Sequence, residues 1–186
     1  MTLVEVLRGL ACKDCNARVT TVSSSGIIVL RMAERDVLVA ILERIVSSKL
    51  SRVVLLQAVA DTIRHIGDYR WVGLYDVDHG AGVVRNVVFS GPGAPEYPQF
   101  PINKGLTGAA IVEKRSINVG NVAADRRYLT AFGSTRSEII VPIFDEAREN
   151  VIGTIDVESE LRDAFNAHIQ VLLERCADVV SPLWHK

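Results

Sequence analysis

The chain has 186 residues, a formal net charge of −1, an isoelectric point near 6.4 and a hydrophobic fraction of 48%. This apolar content is enough for a full core and too high for a disordered chain, and the length fits one domain with an extra arm. The balanced charge gives no field that favours nucleic acid or an anionic membrane. No apolar run approaches the ~20 residues of a membrane helix, and the N-terminus lacks the apolar centre of a signal sequence. We therefore expect a cytoplasmic protein that binds neither nucleic acid nor membrane.

The first thirty residues differ from the rest, so we divide the chain into an arm, 1–30, and a folded domain, 31–186. The arm contains the motif CKDC and a serine-rich run, and its hydrophobic pattern fits no single element. A structural zinc site needs four ligands, and the chain has no second cysteine pair to complete one. We take Cys12 and Cys15 as reduced thiols by default; a redox pair and a metal site shared between two subunits remain alternatives.

Two helices are predicted at the start of the domain. The first has apolar residues at three- and four-residue spacing up to Ser47, and the second begins with Ser51 as its N-cap and ends at Gly67. We expect the inner face of the second helix to carry Leu55, Val59, Thr62 and Ile66.

The middle of the chain reads as two strands and several loops. WVGLYDVD alternates, which places Trp71 and Tyr75 on one face and Val72 and Leu74 on the other. VVRNVVF returns as a second strand after a glycine-rich turn. The proline-rich segment that follows is a loop or, at most, an edge strand. NKGLTG opens a short helix, SINVG is a short strand, and a long irregular loop follows.

The last third predicts two strands, SEIIVPIF and NVIGTIDVES, and a closing helix from about Arg162 to Val180 with Cys176 on its apolar stripe. Strands that directly succeed one another pair antiparallel. We therefore predict an α+β fold, with an antiparallel sheet, helices on one face and a loop-covered ligand pocket on the other.

The stretch from about Val37 to Val180 resembles a GAF domain, the small-molecule-binding regulatory module of many bacterial sensors. The resemblance rests on four segments that occur in the expected order: WVGLYDVD, NKGLTGAAIVEKRSINVGNVAADRRYL, TRSEIIVPIFD and VIGTIDVESE. It differs at Asn121, where many GAF domains carry aspartate. It implies a ligand pocket between the sheet and the irregular middle segment.

One enzymatic branch of this family, the free methionine-(R)-sulfoxide reductases, has a similar pocket. The resemblance implies a ligand-binding set of Trp71, Tyr75, Glu138, Asp156 and Glu158, with Glu158 in a place usually held by aspartate.

The cysteines on which these reductases depend have no counterpart in the domain. Aligned through the shared motifs, their positions fall at Tyr97, Thr107 and Ala131. Neutral hydroxyls are poor at sulfur chemistry and alanine has no nucleophile. We assign no catalytic residue and lean away from an enzyme.

Three of these predicted site residues are acids that would share one face of the sheet. Asp156 and Glu158 are two apart on a strand and share a face, and Glu138 opens the neighbouring strand. Buried carboxylates without partners are costly, so a cluster implies a cationic or NH-rich group among them. A ligand could supply it. In the alternative, Glu138 pairs with Arg136 or a loop amide, and the strand acids face water.

We thus predict a sensor domain that binds a small molecule, needs no cofactor or metal and has no catalysis of its own. No kinase, cyclase or DNA-binding segment follows the closing helix, so we expect a signal to pass to a separate partner or through a homodimer built from the first and last helices. Two alternatives remain: a methionine-sulfoxide reductase that uses Cys12 or Cys15, and an interaction module whose pocket is filled by its own side chains. For Gly105–Gly108 we expect a turn and close packing rather than an anion site.

Overall fold

The computed structural model describes residues 37–129 and 132–184. The predictions for the arm, for the pair Cys12 and Cys15 and for Ala131 lie outside these residues. None of the helices within them is long and apolar enough to cross a bilayer.

Four α-helices and six strands make up the described part. The helices are α1 (37–46), α2 (Arg52–Gly67), α3 (Gly105–Glu113) and α4 (Ala167–Val180). The strands are β1 (Trp71–Asp78), β2 (Val83–Ser90), β3 (Gln99–Pro101), β4 (Ile117–Val119), β5 (Ser137–Phe144) and β6 (Val151–Ser159). Short 3-10 turns lie at Val122–Ala124 and Ser181–Trp184.

The strands form one sheet in the order β3-β2-β1-β6-β5-β4, and every neighbouring pair is antiparallel. This confirms the predicted α+β class. The segment 91–101, predicted as a loop or an edge strand, contributes the edge strand β3.

The main core lies between one face of the sheet and helices α1, α2 and α4. Val72 and Leu74 of β1 point into it, together with inward residues of β5, β6 and the three helices. Trp71 and Tyr75 belong to a second cluster on the other face, as the alternation of β1 predicts. Helix α3 also covers that other face, where Leu106 and Ala110 pack with Ile140 of β5.

Two helix details differ from the prediction. Helix α4 begins at Ala167 rather than near Arg162, because the Asn166 side-chain oxygen accepts hydrogen bonds from the backbone N–H groups of His168 (3.0 Å) and Ile169 (3.1 Å). In α2 the expected inner residue Ile66 is 42% exposed, and Ile63, one turn earlier, is fully buried in its place.

Candidate ligand-binding site

Strand register brings three carboxyl side chains onto one face of the sheet. Glu138 of β5 lies directly opposite Glu158 of β6, and Asp156 precedes Glu158 by two residues on the same strand. On the other side of β6, Trp71 of β1 is the partner of Glu158 and Gly73 is the partner of Asp156. Acids and aromatic residues that are far apart in the sequence therefore share one surface.

This surface forms the floor of a cavity of about 40 Å³. All five residues predicted for the ligand site line it. The full lining is Trp71, Tyr75, Pro95, Tyr97, Phe100, Gly105, Leu106, Thr107, Leu129, Glu138, Asp156 and Glu158. Tyr97 and Leu129 are the most exposed of these, at 46% and 38%, so they form the rim. A space of this size can hold ordered water or one polar group of a ligand whose remainder extends past the rim.

An aromatic wall closes one side of the cavity. The Trp71 ring lies 6.4 Å from the Tyr75 ring and stacks on Phe89 at 6.2 Å, while Tyr75 meets Phe100 edge-on at 5.9 Å. The Trp71 indole N–H donates to the Gly93 carbonyl oxygen at 3.0 Å, which fixes the ring. The wall presents π faces, which attract cations as well as apolar groups.

The acids are deeply buried. The exposed fraction is 9% for Glu138, 4% for Asp156 and 1% for Glu158. Burial raises the pKa of Asp156 to about 7 and that of Glu158 to about 7. The pKa of Glu138 is raised well above its ordinary value, first by burial and then by the negative charges of Glu158 and Asp156.

Two threonine hydroxyls support the acids. Thr107, in the first turn of α3, donates to Asp156 Oδ2 at 3.0 Å, and Thr135, in the loop before β5, donates to Glu158 Oε2. Sequence reasoning missed both roles, because a threonine hydroxyl in a turn or loop carries no local sign of its partner.

Some carboxyl oxygens of the cluster accept no hydrogen bond from the described residues. Asp156 Oδ1 is buried and has no hydrogen bond of good geometry within the described ranges, although the nearby Thr154 hydroxyl acts to lower the pKa of Asp156. Glu138 receives neither a hydrogen bond nor an ion pair from residues 37–129 and 132–184. A buried polar atom left without a partner is costly, so Asp156 Oδ1 favours a donor from outside the described residues.

Two parts of the local alternative differ from the structure. Arg136 is exposed and makes no ion pair with Glu138, and Asp156 and Glu158 are buried rather than facing bulk water. Burial raises the pKa of Glu158, and among the described residues the Thr135 hydroxyl and then the charge of Arg70 lower it by less. The Arg70 guanidinium is already paired with Glu160 at 2.8 Å.

The glycines at the start of α3 have the packing role that was expected. Gly105 has a φ of 73°, which favours glycine, and a Cβ on Gly108 would lie 2.6 Å from the Asn103 carbonyl carbon. These residues let α3 begin close to the cavity.

No group of three or more His, Cys, Asp or Glu side chains in the described ranges is arranged to hold a metal ion.

Comparison with known protein families identifies the class. The model of the GAF domain matches residues 51–182, which is well over half of the chain. The chain therefore belongs to the GAF family. No curated protein matches it significantly.

Solved structures similar to this chain include two enzymes and a GAF domain. The free methionine-R-sulfoxide reductase of Neisseria meningitidis, in complex with its substrate, is similar at 24% identity and a TM-score of 0.76, over 91% of this chain and 95% of that one. The type II enzyme of Thermoplasma acidophilum is 29% identical, with a TM-score of 0.67, over 72% and 92%. A structure described as the GAF domain is 22% identical, with a TM-score of 0.75, over 82% and 88%. The similarity thus extends to both kinds of protein.

Proposed function

We propose that this GAF domain is a sensor that binds a small molecule with a protonated amine or a similarly NH-rich group. The observation that carries the proposal is the cluster of Glu138, Asp156 and Glu158, buried on one face of a cavity. Ionised carboxylates buried without a counter-charge cost several kcal/mol each. A ligand that brings donors and positive charge would offset that cost.

The cavity suits such a ligand chemically. Asp156 Oδ1 and Glu138 offer acceptors that the described chain leaves unused, and Trp71 and Tyr75 add π surface beside them. The Tyr75 pKa is raised well above its ordinary value, first by burial, so its phenol stays protonated and can donate to a polar atom of the ligand. The combination favours an amino acid or a comparable small amine over a purely apolar molecule.

Free methionine-(R)-sulfoxide is the first compound to test. It carries an amine, and the similar structure from Neisseria meningitidis is a reductase for this substrate in complex with it. Free methionine, other amino acids, cyclic nucleotides and 2-oxo acids complete the panel.

The test is a thermal-shift panel on reduced protein. A ligand present at one hundred times its dissociation constant adds about 2.7 kcal/mol, which raises the midpoint by a few degrees in a domain of this size. We expect an amine to give such a shift and Glu138→Gln to reduce it. Glu146→Gln, which neutralises an exposed carboxyl elsewhere, should leave it unchanged. A folded sample that responds to none of the amines would favour the interaction module.

A reductase is the second candidate, favoured by the similarity to two such enzymes. Two of the three positions expected for cysteine line the cavity as Tyr97 and Thr107, and neither supplies a thiol. The enzyme would then have to use Cys12 or Cys15. Thioredoxin-coupled oxidation of NADPH with free methionine-(R)-sulfoxide, lost in Cys12→Ser or Cys15→Ser, would establish it. Binding of methionine-(R)-sulfoxide without its reduction would favour the sensor over the reductase.

We further propose that the signal passes through a homodimer built from α1 and α4. Both helices carry exposed apolar residues, Val37 on α1 and Val171 on α4. We expect Val171→Asp to weaken dimerisation in sedimentation velocity. Val112→Asp, at an exposed position of α3, is the matched control. If the wild-type protein is a monomer at all concentrations tested, the homodimer is ruled out, and the signal would have to pass to a separate protein.

A further inference from the structure

The three carboxyls are too close together to ionise independently. Residues directly opposite on antiparallel strands have Cβ atoms roughly 4.5–5.5 Å apart, and Glu138 and Glu158 are such a pair. Asp156 lies on the same face, two residues along β6. Like charges at this range in a water-poor cavity repel strongly, since screening by solvent is weak there.

The groups that face the cluster do not neutralise it. From β1, Tyr75 contributes a phenol that stays neutral. From the segment before β3, Tyr97 has a raised pKa, chiefly because of the charge of Glu96, and is also neutral. Helix α3 contributes the uncharged Thr107, and the loop before β5 the uncharged Thr135.

Within residues 37–129 and 132–184, Arg70 is the positive charge that acts on the cluster; one of its terminal nitrogens is engaged elsewhere and its buried Nε has no partner there. Arg70, just before β1, pairs with Glu160, which lies outside the cavity lining. One shared cation beside three carboxyls leaves an excess of negative charge if all three ionise.

We propose that the empty cavity retains at least one proton among Glu138, Asp156 and Glu158, and that a cationic ligand displaces this proton into solvent when it binds. The proton leaves a carboxyl oxygen for the buffer, and the resulting carboxylate accepts an N–H from the cationic group of the ligand, so the loss of one positive charge is offset by the gain of another. This inference rests on the proposed function, since it describes how the same pocket takes up its ligand.

The environment of each acid agrees with a retained proton. Burial holds the pKa of Asp156 and of Glu158 at about 7, within the physiological range. The pKa of Glu138 is raised well above its ordinary value by burial and by the other two acids. A cation placed among them would lower all three values, which is the condition for proton release.

The affinity for a cationic ligand should therefore depend on pH. Below about pH 7 the cluster must lose a proton to accept the cation, so affinity increases with pH. The increase approaches tenfold per pH unit for each proton released, and it levels off once the carboxyls are ionised in the empty cavity. A pocket whose acids were already ionised would give a flat profile over the same range.

Calorimetry with free methionine-(R)-sulfoxide and free methionine tests the exchange. Titrations at pH 6.5 in phosphate and in imidazole, two buffers with different ionisation enthalpies, should give binding enthalpies that differ in proportion to the protons released. Glu138→Gln removes one titrating site and should reduce this difference, while Glu146→Gln should not. In parallel, carboxyl 13C NMR of the ligand-free protein should show at least one cluster carboxyl that titrates above pH 6.

The outcomes separate the two proposals. Binding with a buffer-dependent enthalpy supports the exchange. Binding with the same enthalpy in both buffers, or three carboxyls that titrate near their ordinary values, overturns the exchange and leaves the proposed function intact. No binding of either amine by folded protein overturns the proposed ligand class and the exchange with it, even if the NMR titration finds a retained proton.

Discussion

Thr107 shows how a single hydroxyl sets the state of a buried acid. It donates to Asp156 Oδ2 at 3.0 Å and so stabilises the carboxylate form, while burial acts in the opposite direction and is the larger effect. The hydrogen bond also orients the carboxyl group, since one oxygen is held by α3 and Oδ1 is left for another donor. Thr107 is therefore a positioning residue for the acid.

Thr107→Val tests this role. At pH 8, where Asp156 is ionised, the variant should lose roughly 1.5–3 kcal/mol of unfolding free energy, because a hydrogen bond to a charged group is removed. At pH 5, where Asp156 is protonated, the loss should be about 1 kcal/mol. Urea unfolding at the two pH values measures the difference. Thr107→Ser keeps the hydroxyl, so its loss of unfolding free energy should be the same at pH 5 and pH 8. If Thr107→Val also lost the same amount at both pH values, the positioning role would be contradicted.

Strand β1 builds the aromatic wall by placing a glycine between two large rings. A Cβ on Gly73 would lie 2.2 Å from the Trp71 ring and 2.9 Å from the Tyr75 ring. The absence of a side chain lets both rings fold over the centre of the strand, opposite Asp156. A larger residue at this position would push the wall into the cavity.

We expect Gly73→Ala to lower the unfolding free energy by about 1–3 kcal/mol, the range for overpacked sites. The gain in strand propensity from glycine to alanine is smaller, about 0.5–1 kcal/mol, and does not offset the clash. Chemical denaturation measures the change. Gly93→Ala is the control, because a Cβ there meets nothing within 4 Å. If Gly73→Ala left the unfolding free energy unchanged, the Trp71 ring would have to shift away from the new Cβ at no cost.

At the scale of the whole molecule, Arg52 joins three separate parts of the fold. From α2 its Nε donates to the Leu183 carbonyl oxygen at 2.7 Å, and its terminal nitrogens donate to both oxygens of Asp76 on β1 at 2.5 and 3.2 Å. The guanidinium also lies 5.4 Å from the centre of the Trp184 ring. These contacts connect the second helix, the sheet and the last turn.

Arg52→Lys should therefore destabilise the protein by about 1 kcal/mol, because lysine cannot reproduce the forked geometry and the pair is only partly buried. Arg148→Lys is the matched control: Arg148 pairs with Asp178 at 2.8 Å, but both side chains are mostly exposed, so its effect should be near zero. Thermal unfolding of the two variants gives the comparison. Equal effects would mean that Arg52 contributes no more than a surface ion pair.

The buried acids also set how global stability depends on pH. The pKa values of Asp156 and Glu158, about 7 in the fold, lie above their ordinary values of 3.8 and 4.5. The folded state therefore binds more protons than the unfolded chain between these limits, and stability is greatest at the acid end and falls as pH rises towards 7.

We expect the unfolding free energy to decrease between pH 5 and pH 7 by up to about 1.4 kcal/mol per pH unit for each carboxyl that ionises only on unfolding. Guanidinium titrations at half-unit intervals measure the slope. Asp156→Asn should reduce it, while Glu146→Gln should leave it unchanged. A stability that rises with pH in this window would contradict the assigned state of the acids.

The class of fold follows from the sequence alone, and the five residues that the sequence predicts for a ligand site line one cavity. The alternation of β1 separated Trp71 from Val72, and the two-residue spacing placed Asp156 and Glu158 on one face. Such periods follow from backbone geometry within a single element, so they can be read locally.

The surroundings of the three acids depend on tertiary contacts. The β5–β6 register that sets Glu138 opposite Glu158, and the hydroxyls that Thr107 and Thr135 bring to the cluster, depend on contacts between residues distant in the chain. The same holds for the burial of Ile63 in place of Ile66, since a helix pattern tolerates either face until its neighbours pack against it. Local periodicity does not show which residues from distant parts of the sequence will contact the acids. The charge state of the pocket depends on those contacts.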